Sequence, residues 1–194
     1  MRLGIFGGTF DPVHLGHLII AETACTELQL ETVLFVLAPN PPHKNSEQLT
    51  DVSHRLAMLQ LALAGNPRFT ISTMELQRPG PSYTVDTLHT LKTLPEYHEA
   101  IFHLIIGADS LRDFHKWRAP EMIMQLAKLV VYPRAEDMAG FAGSPLVKSY
   151  HLLSGCVIGI SSTDIRHKIK NNISIRYLVP DAVQQYIEAQ GLYK

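Results

Sequence analysis

The sequence has 194 residues, of which 46% are apolar and 18% are charged. This length and composition predict a single domain over residues 1–194 with a buried core, and they exclude a disordered polar chain. Seventeen Lys and Arg against eighteen Asp and Glu leave a net charge of −1, which argues against general nucleic-acid binding. Any phosphate group that the chain binds is therefore expected to be bound at one local cluster of residues.

The sequence contains no signal for a membrane or for an oxidising compartment. No segment approaches the ~20 consecutive apolar residues of a membrane span, and the N-terminal residues reach glycine and proline too early for a signal peptide. Cys25 and Cys156 fit neither a disulfide framework nor a short-spaced zinc site, and both are predicted to be small core residues. We therefore expect a cytoplasmic protein with neither a membrane nor a nucleic acid as partner.

The first half of the chain alternates short apolar runs with helical patterns. Strands are predicted at 3–6, 32–38 and 69–74, and helices at 16–28, from about 51 to 64, and at 84–94. The run at 32–38 is apolar throughout, which is typical of a strand buried on both faces. Pro39, Pro41 and Pro42 end it because proline has no N–H group for a sheet ladder.

The second half continues the same alternation. Strands are predicted at 100–106, 128–132 and 157–160, a loop at 135–150, and helices near 110–115 and 121–127 and at 163–170 and 181–190. Strands that alternate with helices pair in parallel through right-handed crossovers. The sequence therefore predicts an α/β fold with a single Rossmann-like, doubly wound parallel sheet and helices on both faces. Ligands bind such sheets beyond the carboxyl ends of the strands.

Two glycines and two histidines follow the first predicted strand. Gly7 and Gly8 let the backbone approach a ligand closely, and the next helix offers unpaired N–H groups to an anion. His14 and His17 are three positions apart at the start of that helix, which puts both rings on one side. Taken alone, the pair fits a helix cap beside a surface histidine about as well as it fits phosphate donors. Its position behind the glycines favours phosphate donors.

A second candidate segment lies near the other end of the chain. Ser161, Ser162 and Thr163 follow a predicted strand and open a helix, so that one of them can cap it and its N–H groups face the strand ends. Arg166, one turn later, carries a forked donor that suits phosphate. By itself this segment is better explained by a capped helix with a surface arginine than by a phosphate site.

Together, the two segments resemble the paired HxGH and ISSTxxR motifs of the HxGH nucleotidyltransferase superfamily, which close on a nucleoside triphosphate. The stretches between them are similar to those of the bacterial nicotinate-nucleotide adenylyltransferase family, and they are 40–44 (NPPHK), 81–88 (PSYTVDTL) and 106–111 (IGADSL), with Phe114 and Trp117. The resemblance covers nearly the whole chain.

The resemblance implies that the phosphate of nicotinate mononucleotide attacks the α-phosphorus of ATP, which gives nicotinate adenine dinucleotide and pyrophosphate in NAD biosynthesis. The attacking group is already an anion, so catalysis needs alignment and charge stabilisation rather than a protein nucleophile. Mg²⁺ is expected with ATP, bridging its phosphates with mostly water ligands. Two alternatives stay open: an adenylyltransferase for another phosphorylated acceptor such as phosphopantetheine, and a nucleotide-binding regulator without catalysis.

The resemblance also implies the site residues. Those expected to act in catalysis are His14, His17, Lys44 and Arg166. Those expected to bind ATP are Gly7, Gly8, Thr9, Phe10, His14, His17, Gly107, Asp109, Ser161, Ser162, Thr163 and Arg166. Those expected to bind nicotinate mononucleotide are Lys44, Ser82, Tyr83, Thr84 and Trp117. No side chain is predicted to ligate a metal, and whether the chain forms a homo-oligomer is left open.

Two features of the acceptor residues predict a preference for the acid over the amide. The indole of Trp117 can stack on the pyridinium ring, which is a flat cation. Backbone N–H groups near Tyr83 and Thr84 open a predicted helix and can donate to a carboxylate. A carboxamide would turn its NH₂ group towards those donors and leave them unpaired.

Overall fold

The computed structural model describes residues 1–41, 49–133, 144–154 and 158–194. The strands are β1 (Arg2–Gly8), β2 (Thr32–Leu37), β3 (Phe69–Ser72), β4 (Ile101–Gly107), β5 (Ala127–Tyr132) and β6 (His151–Leu152). The helices are α1 (Leu15–Leu28), α2 (Val52–Leu63), α3 (Thr84–Thr93), α4 (Ala108–Arg112), α5 (Pro120–Leu126), α6 (Ser162–Lys170) and α7 (Asp181–Gln190). Short 3₁₀ turns occupy Met74–Gln77 and Phe114–Lys116.

All pairs of neighbouring strands are parallel, and the strand order is β3-β2-β1-β4-β5-β6. The order reverses at the neighbouring strands β1 and β4, since the chain first moves outward through β2 and β3 and then returns. Such a reversal opens a crevice at the carboxyl ends of the two strands. The predicted α/β fold with a doubly wound parallel sheet is confirmed.

Successive side chains of the strands enter separate cores on the two faces of the sheet. Phe6 packs in the core under α1, α2 and α7, whereas its neighbour Ile5 packs in the core under α3, α4 and α5. Both faces are therefore apolar, which explains why the strands read as continuous apolar runs. Cys25 is 1% exposed in the first core, as predicted, and Cys156 lies outside the described residues.

The sixth strand was predicted in the wrong place. The sheet is completed by β6, and residues 158–160 form no strand. Ile160 packs against the core under α1, and Ile158 approaches Gly16 at the start of α1. The described part of this apolar run, residues 158–160, therefore packs side chains against the core without joining the sheet, although such a run gives the same sequence signal as a strand.

The other differences from the predicted elements are small. The two helices predicted near 110–115 and 121–127 begin slightly earlier, at Ala108 and Pro120. In the loop predicted at 135–150, residues 144–150 form neither helix nor strand, and the preceding residues lie outside the described ranges. Among the described helices, none is long and apolar enough to cross a bilayer.

Candidate active site

The two motif histidines lie against each other at the N-terminus of α1. The ring centroids of His14 and His17 are 3.6 Å apart, with an interplanar angle of 26°. The backbone N–H of His14 donates to Nδ1 of His17 over 3.2 Å. A neutral His17 ring therefore carries its proton on Nε2, which makes this nitrogen the donor for a ligand. Phe6 and Phe10 flank the ring, with centroids 5.8 and 5.1 Å away.

Glycines make room for these rings. A Cβ on Gly16 would lie 2.9 Å from Nδ1 of His14, and a Cβ on Gly8 would lie 2.9 Å from the ring of Phe10. Both contacts are too short for a side chain, so the motif needs glycine at both positions. A Cβ on Gly7 would meet nothing within 4 Å, because this residue borders open space.

The second motif contacts the first directly. Ser162 Oγ donates to the carbonyl oxygen of Pro12 over 2.9 Å, and Arg166 Nη1 donates to the carbonyl oxygen of Asp11 over 2.7 Å. Ser161 is the N-cap of α6, since its hydroxyl accepts a backbone N–H over 3.0 Å. The structure therefore brings together two segments that lie about 150 positions apart in the sequence.

Arg166 carries a second contact that orients its guanidinium group. Its Nη2 lies 3.4 Å from Oγ1 of Thr163, one turn earlier on the same helix. Together with the bond to the β1–α1 loop, this contact holds the group beside the N-termini of both α1 and α6. Two helix N-termini and a fixed cation at one place favour the binding of an anion there.

A buried arginine that the sequence did not identify fixes the loops after β1 and β2. Arg55 on α2 is 2% exposed. Its guanidinium donates to the carbonyl oxygens of Thr9, Ala38 and Thr50 over 3.0, 2.8 and 2.8 Å. Burial lowers the pKa of Arg55, and the negative charge of Asp11 opposes that shift. No local sequence signal marks this role, because the acceptors are backbone atoms of other segments.

Asp11, at the base of the same loop, is tied to the last helical region of the chain. Its Oδ1 accepts the hydroxyl of Tyr193 over 2.7 Å, and its Oδ2 accepts the backbone N–H of Thr50 over 3.3 Å. Asp11 is 1% exposed. Burial raises the pKa of the Tyr193 phenol, and the neighbouring Asp11 adds to the shift. The phenol therefore keeps its proton and remains the donor in this bond.

A cavity of about 630 Å³ lies beside these motifs, at the carboxyl ends of the central strands. A volume of this size is typical of a small-molecule site. The cavity is lined by nine of the predicted site residues, which are Gly7, Gly8, Thr9, Ser82, Tyr83, Thr84, Gly107, Asp109 and Trp117. The other described members of the predicted set lie outside its lining, and they are Phe10, His14, His17, Ser161, Ser162, Thr163 and Arg166.

Aromatic rings and charged groups form one wall of the cavity. Trp117 is half-buried against Phe114, with ring centroids 5.2 Å apart. The next residue, Arg118, places its guanidinium 4.7 Å from the ring centre of Tyr83 and 3.3 Å from a carboxylate oxygen of Asp86. These contacts join the segment before α5 to the first turn of α3 across the cavity.

A buried carboxyl group that the sequence did not single out lies beside α3 in the cavity lining. Glu75 is 6% exposed, lines the cavity, and accepts the hydroxyl of Thr87 at Oε1. Its Oε2 has no hydrogen-bond partner among the described residues. Burial raises the pKa of Glu75, while the nearby hydroxyls of Thr87 and Ser82 and the charge of Arg78 oppose that shift. The sequence shows only a charged residue at this position, and its burial becomes visible only in the structure.

Two parts of the predicted site have limited structural description. Lys44 lies outside the described residues, so its catalytic and binding role stays a prediction. Within the described ranges, no three His, Cys, Asp or Glu side chains lie together as a metal site would require.

Comparison with known proteins gives a consistent set of relatives. Residues 5–168 match the cytidylyltransferase-like family. A Thermomicrobium roseum protein named "Probable nicotinate-nucleotide adenylyltransferase" is 47% identical, over all of this chain and 92% of its own length. A Thermus thermophilus protein of the same name is 46% identical over the full length of both chains.

Solved structures show the same fold. Plasmodium falciparum nicotinic acid mononucleotide adenylyltransferase, solved in complex with NaAD, matches with a TM-score of 0.78 at 20% identity. The match covers 99% of this chain and 97% of that one. The arrangement of the six strands and their flanking helices is thus shared across most of both chains.

Proposed function

Because the chain belongs to the cytidylyltransferase-like family, and within it to the nicotinate-nucleotide adenylyltransferases, we propose that it transfers the adenylyl group of ATP to nicotinate mononucleotide. The products are nicotinate adenine dinucleotide and pyrophosphate. The observation that carries this proposal is the direct contact between the two motifs at the edge of the central cavity. That contact sets phosphate donors beside a space large enough for the second nucleotide.

The phosphate chemistry is proposed to take place between α1 and α6. An oxygen of the acceptor's phosphate forms a bond to the α-phosphorus of ATP, and the bond from that phosphorus to the bridging oxygen breaks as pyrophosphate leaves. His17 donates from Nε2, as its backbone-bonded Nδ1 requires. His14 stacks on that ring and extends the donor surface. These groups stabilise charge that spreads over the transferring phosphoryl oxygens.

The leaving pyrophosphate is proposed to be held by the second motif. Arg166 is oriented by the carbonyl of Asp11 and by Thr163, and the N-terminus of α6 offers backbone N–H groups beside Ser162. We propose that Lys44 adds positive charge from the loop after β2, as the family resemblance implies. Bound Mg²⁺ would neutralise part of the triphosphate charge, with ligands from phosphates and water.

The acceptor base is proposed to occupy the cavity between Trp117 and the start of α3. An indole face that lines the cavity can stack on the pyridinium ring. Tyr83 and Thr84 lie at the N-terminus of a ten-residue helix and line the same space. Their backbone N–H groups are proposed to donate to the nicotinate carboxylate, which would favour the acid over the amide.

The test is to measure pyrophosphate release from ATP and Mg²⁺ with separate acceptors, and to identify the product by mass. Nicotinate mononucleotide should react most efficiently, nicotinamide mononucleotide less, and phosphopantetheine not detectably. Equal use of the acid and the amide would contradict the proposed carboxylate site. Reaction with phosphopantetheine alone would favour the other adenylyltransferase, and ATP binding without any transfer would favour the regulator.

We also propose that residues 1–194 act as one domain in the cytoplasm, where both substrates occur. The hydrogen bond between Asp11 and Tyr193, 182 positions apart, supports one cooperative unit. Unfolding in urea, followed by circular dichroism and by Trp117 fluorescence, should give one coincident transition. Two separate transitions would contradict the single domain.

A further inference from the structure

A buried carboxyl group shares the cavity with the proposed binding site for the acceptor's carboxylate. Glu75 lies at the 3₁₀ turn after β3, and Thr87 of α3 donates to its Oε1. Its second oxygen is buried, with no hydrogen-bond partner in the described part of the chain. An ionised carboxylate with one oxygen unpaired in a buried wall is unfavourable, whereas the neutral acid is tolerated there.

The charges around Glu75 are mixed. Arg78, on the segment that follows the 3₁₀ turn, attracts a negative charge on Glu75, whereas Asp86 of α3 repels it. The other ionisable groups of the described cavity lining are Tyr83, Asp109, Asp113, Lys116, Arg118 and Tyr132. The guanidinium of Arg118 already pairs with Asp86. Among the described residues of the cavity lining, Glu75 is therefore the buried acid, and Arg78, next to its own turn, is a cation that attracts its negative charge.

The proposed acceptor brings a second negative charge into this cavity. Ser82, Tyr83 and Thr84, which would meet the nicotinate carboxylate, line the cavity together with Glu75. Two carboxylates that share a poorly solvated site cannot both be ionised without a large penalty. The amide acceptor lacks this charge, so ionisation of Glu75 repels the acid and not the amide, whereas the hydrogen-bond difference between the two acceptors does not depend on Glu75.

We propose that Glu75 is a specificity-determining residue: the acidic acceptor binds while this buried carboxyl group is neutral, and ionisation of Glu75 weakens its preference over the amide. This inference rests on the proposed function, because it takes the acceptor to be nicotinate mononucleotide. It adds that the ionisation state of one side chain in the cavity lining determines how strongly the enzyme prefers the acidic acceptor over the amide.

The proposal has a consequence for the dependence of selectivity on pH. Burial raises the pKa of Glu75 above its ordinary value, so the neutral form persists to higher pH than for an exposed glutamate. As the pH rises through that pKa, KM for the acid should rise while KM for the amide stays nearly constant. Each pH unit above the pKa should weaken the preference by about tenfold until the bound form also ionises.

The experiment compares the two acceptors with the wild-type enzyme between pH 6 and pH 9. The quantity measured is the ratio of KM for the amide to KM for the acid. Both acceptors carry the same phosphate, and the enzyme's histidines act on both, so those titrations cancel in the ratio. If the amide is not turned over, its inhibition constant against the acid replaces its KM. The ratio should fall as the pH rises.

Two variants attribute the effect to this side chain. Glu75→Gln keeps an acceptor for Thr87 but cannot ionise, so its ratio should stay at the wild-type low-pH value throughout. Thr87→Val removes the bond that favours the charged form, and it should shift the fall to higher pH. Glu96→Gln, at an exposed glutamate outside the cavity lining, is the matched control and should follow the wild type.

The proposal would be overturned if the ratio of the two KM values did not change with pH in the wild type. It would also be overturned if the ratio in Glu75→Gln fell with rising pH as it does in the wild type. If Glu75→Gln does not fold, an unshifted fall in Thr87→Val would overturn it, and a shift to higher pH would support it. The proposed function fails separately, because it fails when the wild-type protein releases no pyrophosphate with nicotinate mononucleotide at any pH.

Discussion

The two sides of the candidate site are built differently. The phosphate side (residues 7–17 and 161–166) is held by hydrogen bonds between segments 150 and 155 positions apart, and Arg55 and Tyr193 anchor it from behind. The acceptor side (residues 75–87 and 113–118) lines an open cavity, and its side-chain hydrogen bonds join residues 12 and 32 positions apart. The structure thus holds the groups proposed to stabilise charge in fixed positions, and it leaves open space on the side proposed to bind and select the acceptor.

This difference predicts separate kinetic effects for the two sides. A donor on the phosphate side is needed most when charge spreads in the transition state, so its loss should lower kcat. A contact on the acceptor side acts on the bound ground state as well, so its loss should raise KM for the acceptor. Phosphate-side substitutions that mainly raised KM, or acceptor-side substitutions that mainly lowered kcat, would contradict this difference between the two sides.

The largest effect is expected at His17. Replacing His17 with Ala removes the Nε2 donor, and kcat should fall by about 10²–10³-fold with little change in KM for nicotinate mononucleotide. Steady-state pyrophosphate release measures both constants. His167→Ala, at an exposed histidine on α6, should retain wild-type kcat. An unchanged kcat in His17→Ala would remove this residue from the phosphate chemistry.

The next effect is expected at Arg166. Arg166→Ala removes a cation that two hydrogen bonds orient, and kcat/KM for ATP should fall by roughly fiftyfold. Arg176→Ala removes an equal charge whose guanidinium lies over the exposed ring of Tyr177, and it should have no such effect. Equal losses in the two variants would mean that total charge matters rather than position.

A smaller effect is expected across the cavity, at Trp117. Trp117→Ala removes the proposed stacking surface, and KM for nicotinate mononucleotide should rise roughly tenfold while kcat changes little. Trp117→Phe should lie between the wild type and the alanine variant, since it keeps an aromatic face. A loss confined to kcat would show that the ring acts on the phosphate side instead.

The smallest effect is expected at Tyr193, behind the phosphate loop. Tyr193→Phe deletes a part-buried hydrogen bond to a carboxylate, and the free energy of unfolding should fall by about 1.5 kcal/mol in urea titrations. Tyr177→Phe, at a tyrosine that is 73% exposed, is the matched control. A control that lost as much stability as Tyr193→Phe would show that the bond to Asp11 contributes nothing specific.

The sequence predicted features that depend on local pattern. The periodicity of apolar residues identified the alternating elements, and the residue types of the two motifs identified the segments that contact each other. Arg55 was missed because its acceptors are backbone oxygens on other segments. Glu75 was missed because its burial depends on α3 packing over it. The sixth strand was misplaced because an apolar run can pack on a sheet as well as extend it.

The bond between Asp11 and Tyr193 has a consequence for how the protein is made. The loop after β1 leaves the ribosome well before one of its anchors, which is synthesised 182 residues later. The nascent chain can form β1 and α1 before Tyr193 is made, but Asp11 then lacks its phenol partner. The phosphate loop should therefore reach its final arrangement only after Tyr193 has emerged, when the strands of the sheet have already been synthesised.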